Sequence, residues 1–305
     1  MYREILTHPH IGSYSAMLLA GFIAAYFLAR WRARRNEIEG RHIDNLVLLL
    51  LVVCPMGARL FSRLFDFPTP IGLVEALKIW KGGGLVFYGG MIFGVVLVAV
   101  YVAVTRIPFF QLADVMAPSL ALGLAFGRVG CFLSGCCWGD VCVPPSQLAS
   151  IISSVTHFQL QTFPALSPPN FFLAVKFPPE SGAFEQHQAL GLIPAGALRS
   201  LPVHPAQLYE AFLSLLLCGL LCVAFKHRRA KGDILAAFAV GYGFIRFGVE
   251  FFRADTSPIY FGMTISQVIS IGIIAVGLLL FLFVRKFTPS LIQEVPLARV
   301  PEAVH

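Results

Sequence analysis

Apolar residues arrive along this chain in long blocks rather than in short alternating runs. Seven blocks stand out, over 12–30, 43–64, 84–105, 109–127, 206–225, 234–253 and 264–285. Each comes close to the roughly 20 residues that an α-helix needs to cross about 30 Å of hydrocarbon. Only helices and closed barrels satisfy every backbone N–H and C=O inside lipid, and these blocks lack the period-two alternation of barrel strands. The pattern predicts an all-α fold, a polytopic integral membrane protein of about seven transmembrane helices, with residues 1–305 as a single membrane domain. The fourth block is the weakest, because it carries Asp114 and Pro118. The opening MYREILTHPH leads into a block that ends in basic residues, so the first block reads as an uncleaved span.

Composition agrees with this picture. Of 305 residues, 57% are hydrophobic and 13% charged, whereas an ordinary globular domain carries about 25% charged residues. Mean hydropathy is +0.77. A disordered chain and a coiled coil are excluded, and a soluble enzyme is disfavoured. The basic excess, 23 Lys and Arg against 16 Asp and Glu, is a topology signal. Arg30, Arg32, Arg34, Arg35 and Arg41 lie between the first two blocks. Lys226, Arg228, Arg229 and Lys231 follow the fifth, and Arg285 and Lys286 follow the seventh. Seven spans put all three segments on one side, which the positive-inside rule makes cytoplasmic. The N-terminus is then outside, and residues 286–305 form a cytoplasmic tail. No recognition motif points to nucleic acid.

Residues 140–203 break the pattern. They hold nine prolines and no apolar block of spanning length, and the topology makes them an extracytoplasmic insertion. Phe163, Phe171, Phe172, Phe177 and Phe184 suit an outer-interface contact, and a loose connecting loop is the equal alternative. Of seven cysteines, Cys54, Cys218 and Cys222 read as small buried hydrophobes. Cys131, Cys136, Cys137 and Cys142 cluster, in a spacing that matches no standard zinc pattern. Disulfides from Cys136 or Cys137 to Cys142 are open.

Charges inside a membrane are costly and mark function. Arg59, Arg128, Glu210, Arg246 and Glu250 all fall in or at the ends of apolar blocks. Tyr242, Arg246 and Glu250 follow each other at four-residue intervals, one stripe about 12 Å long on a helix face. One account is a pair that ties helices together. The other is that Arg128 and Arg246 fork onto an anion, most simply a phospholipid headgroup. His204-Pro205 opens the fifth block, with Gln207 and Glu210 sharing a face near the outer surface. Glycines around Leu85–Tyr88, Gly89 among them, permit close approach of backbone or lipid.

These residues carry a resemblance. The run Gly127-Arg128-Val129-Gly130-Cys131-Phe132-Leu133-Ser134-Gly135-Cys136-Cys137-Trp138-Gly139 resembles the signature of the prolipoprotein diacylglyceryl transferase family. So do Gly57-Ala58-Arg59-Leu60, the glycine-rich run Gly83–Gly90, His204-Pro205-Ala206-Gln207-Leu208-Tyr209-Glu210, Gly241–Arg246 with Glu250–Arg253, Ser266-Gln267 and Tyr14. The resemblance implies a seven-span fold and transfer of diacylglyceryl from phosphatidylglycerol to the lipobox cysteine thiol of prolipoprotein signal peptides. It places the protein in the bacterial cytoplasmic (inner) membrane among membrane lipids, with no cofactor or metal. It implies Arg128 and Arg246 at the phosphate, with Tyr88 at the catalytic position of the glycine-rich run. Tyr14, Arg59, Gly89, Gly139, His204, Gln207, Glu210, Tyr242 and Glu250 would then line or shape the substrate cavity.

The chain departs from the family pattern in three places. Tyr88 stands where the family usually has the His proposed as base, and a phenol of ordinary pKa near 10 is a poor base at neutral pH. Cys131 and Cys136 stand where the family usually has Asn and Glu. Glu250, or thiol ionisation in the arginine field, then becomes the expected route to a thiolate. Three rival readings stay open: a divergent relative with another acceptor, a non-catalytic lipid-binding membrane protein, and a thiol-redox or metal protein built on the cysteine cluster.

Overall fold

In the computed structural model the described residues are 4–7, 10–66, 87–142, 171–194, 196–254, 259 and 262–287. A short antiparallel hairpin comes first, β1 (Glu4–Thr7) with β2 (His10–Gly12). Helices follow: α1 (Ser13–Arg34), α2 (Gly40–Asp66), α3 (Phe87–Thr105), α4 (Phe109–Ser134), α5 (Gly182–Ala189), α6 (Ala206–Ala224), α7 (Asp233–Glu250) and α8 (Ile265–Phe287). Apart from this terminal hairpin the elements are helical, in keeping with the all-α expectation. Ile5, Thr7 and Ile11 are β-branched and Pro9 sits between the two strands, a pattern that suits a strand pair better than a helix.

Among the described residues the seven longest helices occupy the seven apolar blocks. Among the described residues, five segments are long and apolar enough to cross a membrane: Ser13–Arg34, Gly40–Ser62, Phe109–Ser134, Ala206–His227 and Ile265–Phe287. Gly89–Thr105 is apolar but shorter. Helix α7 carries Asp233, Arg246 and Glu250 within its 18 residues. The helices are apolar outside and polar inside, as lipid demands. On α6, Phe212, Leu215, Leu216 and Leu220 are exposed while Gln207, Glu210 and Ser214 are buried. On α8, Leu278, Leu279, Leu282 and Phe283 face outward while Gln267 and Ser270 are buried. This is a multi-pass membrane protein.

The chain packs as two units, one of residues 1–25 and 117–305, the other of residues 26–116. In the second unit, α2 lies against α3, and a Cβ on Gly90 would sit 3.0 Å from the Cys54 carbonyl oxygen. Arg30 pairs with Asp44 at 2.7 Å there, and His42 Nδ1 lies 3.0 Å from the Tyr101 hydroxyl. In the first unit, α7 packs between α6 and α8. A Cβ on Gly277 would lie 2.8 Å from Val240 Cγ2, so α7 and α8 meet nearly backbone to backbone.

Two segments correct the expectations. Helix α4 runs through Pro118 and continues past residue 127 to Ser134, which puts Arg128 and Cys131 on helical turns. Pro is tolerated in a membrane helix where neighbours re-satisfy the freed carbonyl. The described part of the insertion is folded rather than loose. Phe177 and Val203 are fully buried with Val141 and Ala183, and Phe132, Trp138, Val175 and Leu201 pack around them. Phe177 and Phe184 are therefore core residues rather than interface contacts, while Phe172 is 85% exposed. Phe163 lies outside the described residues.

Candidate active site

The functional side chains of the first unit converge on two buried carboxylates. Glu210, on the first turns of α6, receives Arg128 Nε of α4 on Oε1 at 3.0 Å. Its Oε2 lies 3.6 Å from Arg246 Nη1 of α7. Tyr242, one turn before Arg246, donates its hydroxyl to Glu210 Oε1 at 3.3 Å. Glu250, one turn after, pairs with Arg246 Nη2 at 2.8 Å, and Arg253 Nε lies 3.9 Å from the same Oε2. Among the described residues the chain of ion pairs links three arginines to these two glutamates. Arg246 Nη1 is buried and finds no hydrogen-bond partner among the described residues.

Local sequence explains this placement. The four-residue spacing puts Tyr242, Arg246 and Glu250 on one face of α7. Thr264 and Gln267 form a reciprocal cap at the start of α8: Thr264 N donates to Gln267 Oε1 at 2.9 Å, and Gln267 N donates to Thr264 Oγ1 at 3.2 Å. The Thr264 hydroxyl donates onward to Glu250 Oε1 at 2.8 Å, and Arg246 Nη2 donates to Ser266 Oγ at 2.9 Å. Thr264 was missed in the sequence, although the Thr-x-x-Gln capping pattern before an apolar block was its signal.

Gly139, His204 and Gln207 hold the frame. Gly139 N donates to the His204 carbonyl at 2.9 Å, and Asp140 N donates to the Phe252 carbonyl at 2.8 Å. His204 Nδ1 lies 3.1 Å from the Tyr209 hydroxyl, and its ring packs on Phe171 and Phe252. Burial holds the His204 imidazole below its usual pKa, so it is a neutral packing and hydrogen-bonding group. Gln207 Nε2 donates to the Cys136 carbonyl at 2.7 Å, which anchors the signature turn. Gln207 and Glu210 are 1% exposed, so the helix face they share is turned to the polar interior. Tyr14 of α1 lies against Gly130, where a Cβ would come within 3.2 Å of Tyr14 Cδ2.

This constellation and the signature helix account for a comparison with known proteins. The family model described as prolipoprotein diacylglyceryl transferase matches residues 4–283. The chain belongs to the prolipoprotein diacylglyceryl transferase family. Among its relatives is a phosphatidylglycerol–prolipoprotein diacylglyceryl transferase of Xylella fastidiosa (strain M12), 31% identical over 94% of this chain and 92% of the relative. Proteins of the same description from Xanthomonas campestris pv. campestris (strain B100) and Xanthomonas oryzae pv. oryzae (strain PXO99A) are 31% and 32% identical, over 95% and 90% of this chain. They are covered over 92% and 87% of their own lengths.

Three expected site residues of this diacylglyceryl transferase family member belong to the other unit. Arg59 is 1% exposed on α2. Gly89 is a packing glycine: a Cβ there would collide with Phe61 and lie 2.5 Å from the Gly57 carbonyl oxygen. Tyr88 lies on the first turn of α3, and its side chain is outside the described residues. All seven cysteines are free thiols. Burial and the Asp140 charge push the Cys142 thiol up to about 12, which makes it unreactive. The sulfurs of Cys131, Cys136 and Cys137 lie within 4.8 Å of one another.

Proposed function

We propose that the protein transfers the diacylglyceryl group of phosphatidylglycerol to the lipobox cysteine of prolipoproteins, the first step of lipoprotein maturation, in the bacterial cytoplasmic membrane. The observation that carries this reading is the meeting of Arg128 and Arg246 on the two oxygens of Glu210. Arg246 Nη1 there makes no hydrogen bond among the described residues, and the two convergent guanidiniums suit a phosphodiester anion held by forked contacts. Glu210 keeps the two guanidiniums near each other when no headgroup is present.

The chemistry needs little beyond this. The acceptor sulfur forms a bond to the glyceryl carbon, the carbon–oxygen bond to phosphate breaks, and glycerol phosphate leaves. Charge grows on the leaving phosphate, where preorganised arginines act most strongly because water is excluded. Tyr242 and Glu250 hold Arg246 in place, and Tyr14, Gly139, His204 and Gln207 shape the walls and frame around it. Arg59, Tyr88 and Gly89 are assigned substrate-handling roles on the family resemblance alone. Seven spans, with the N-terminus outside and the C-terminus cytoplasmic, accord with the distribution of Lys and Arg. The test is reconstitution with phosphatidylglycerol and a lipobox peptide. Lipidated peptide and free glycerol phosphate are expected in equal amounts, and neither product forming with any thiol peptide overturns the reading.

A further inference from the structure

Three thiols meet where α4 ends. Cys131 is on its last turn, and Gly135 leaves the helix at φ +74°. Cys136 N folds back onto the Cys131 carbonyl at 3.1 Å. Cys137 then takes φ +59°, a left-handed conformation that residues other than glycine rarely adopt. Gln207 clamps the turn through the Cys136 carbonyl. The result is three sulfurs within 4.8 Å of one another, from a spacing that does not read as a metal motif in the sequence. The same helix turn carries Arg128, three residues before Cys131.

We propose that Cys131, Cys136 and Cys137 form a three-thiolate zinc site whose fourth coordination position receives the acceptor thiol of the lipobox cysteine. Tetrahedral coordination with Zn–S bonds of about 2.3 Å sets ligand sulfurs about 3.8 Å apart, within small side-chain rotations of the spacing present. Soft thiolates favour zinc over the hard cations. Three protein ligands with one open position are the arrangement of catalytic rather than structural zinc. Three thiolates on a divalent ion leave one net negative charge. The role rests on the transfer reading above and supplies the thiolate that Tyr88 is poorly suited to generate. The acceptor thiol loses its proton to water on coordination. Its sulfur then forms the C–S bond to the glyceryl carbon, the C–O bond breaks, and the electron pair leaves with glycerol phosphate. This replaces the expectation that no metal is involved.

The experiment measures metal in the full-length protein, purified in detergent under reducing conditions and incubated with zinc or with cuprous ion. One zinc per chain is expected, with three sulfur ligands and one water in X-ray absorption and a fourth sulfur replacing the water when lipobox peptide is added. Cys131→Ser, Cys136→Ser and Cys137→Ser should each lower zinc affinity at least tenfold, while Cys222→Ser should leave it unchanged. A competition titration of the wild-type protein against a chromophoric chelator gives the same answer should a variant fail to fold. No zinc bound, binding of cuprous ion alone, or a disulfide among the three cysteines overturns the site. Transfer unchanged after zinc is stripped overturns its role in activating the thiol. A zinc-loaded protein that gains a fourth sulfur yet transfers nothing would support the site and count against the proposed function instead.

Discussion

Arg128 Nε and Glu210 Oε1 form a 3.0 Å ion pair between α4 and α6, with the carboxylate 2% exposed. Removing one partner of such a buried pair typically costs 3–5 kcal/mol, because it strands the other charge. Glu210 strands two, since Arg246 shares it. Glu210→Gln should therefore lower transfer on the order of a hundredfold, the size expected for one misplaced stabiliser of transition-state charge. It should also lower the melting temperature in detergent. Initial rates of glycerol phosphate release check the first effect, and normal rates would remove Glu210 from the machinery.

Arg128 and Arg246 are predicted to respond to charge and to shape separately. Replacing either with Ala should abolish measurable transfer. Arg246→Lys keeps the charge but loses the fork that reaches Glu210, Glu250 and Ser266 at once. Its rate should stay roughly tenfold or more below wild type at saturating phosphatidylglycerol. Rates across a series of lipid concentrations separate weaker binding from slower chemistry. Wild-type rates in the lysine variant would show that Arg246 acts as a point charge only.

The helices were legible because lipid imposes a strong pattern: all seven apolar blocks became helices. The stripe of Tyr242, Arg246 and Glu250 was legible for the same reason, since its four-residue spacing has one helical meaning. What escaped depends on contacts between distant segments. Glu210 looked like a wall residue, because no local pattern says that α4 and α7 both send an arginine to it. Phe177 looked like an interface residue, because the small core it fills draws on Val141 and Val203. The convergence of Cys131, Cys136 and Cys137 was hidden in two positive φ angles, at Gly135 and Cys137, which spacing alone does not reveal.

Gly139 has a role that any side chain would destroy. A Cβ there would lie 2.5 Å from the carbonyl oxygens of both His204 and Phe252. Both are backbone atoms and neither can swing away. Gly139→Ala should destabilise the fold by roughly 2–4 kcal/mol, the range of mutations that break packed buried structure. Because the strain falls between the start of α6 and the end of α7, transfer should fall with it. Thermal unfolding in detergent tests the first part, and an unshifted midpoint would mean that the three segments separate easily.

His187 makes stability depend on pH. Its ring is 2% exposed, and burial holds its pKa down to about 4. Nδ1 accepts the Leu201 N–H at 3.3 Å, a role that only the neutral ring can play. The unfolded chain takes up the proton near pH 6.5 and the folded chain only near 4, so the unfolded state binds more protons between those values. Stability contributed by the neutral ring is complete above about pH 6.5 and is lost as pH falls towards 4, by at most about 3 kcal/mol. His187→Gln keeps an acceptor and removes the titration, so its melting temperature should fall less steeply between pH 7 and pH 4.5 than that of the wild type. Parallel curves for the two proteins would assign the acid sensitivity to other groups.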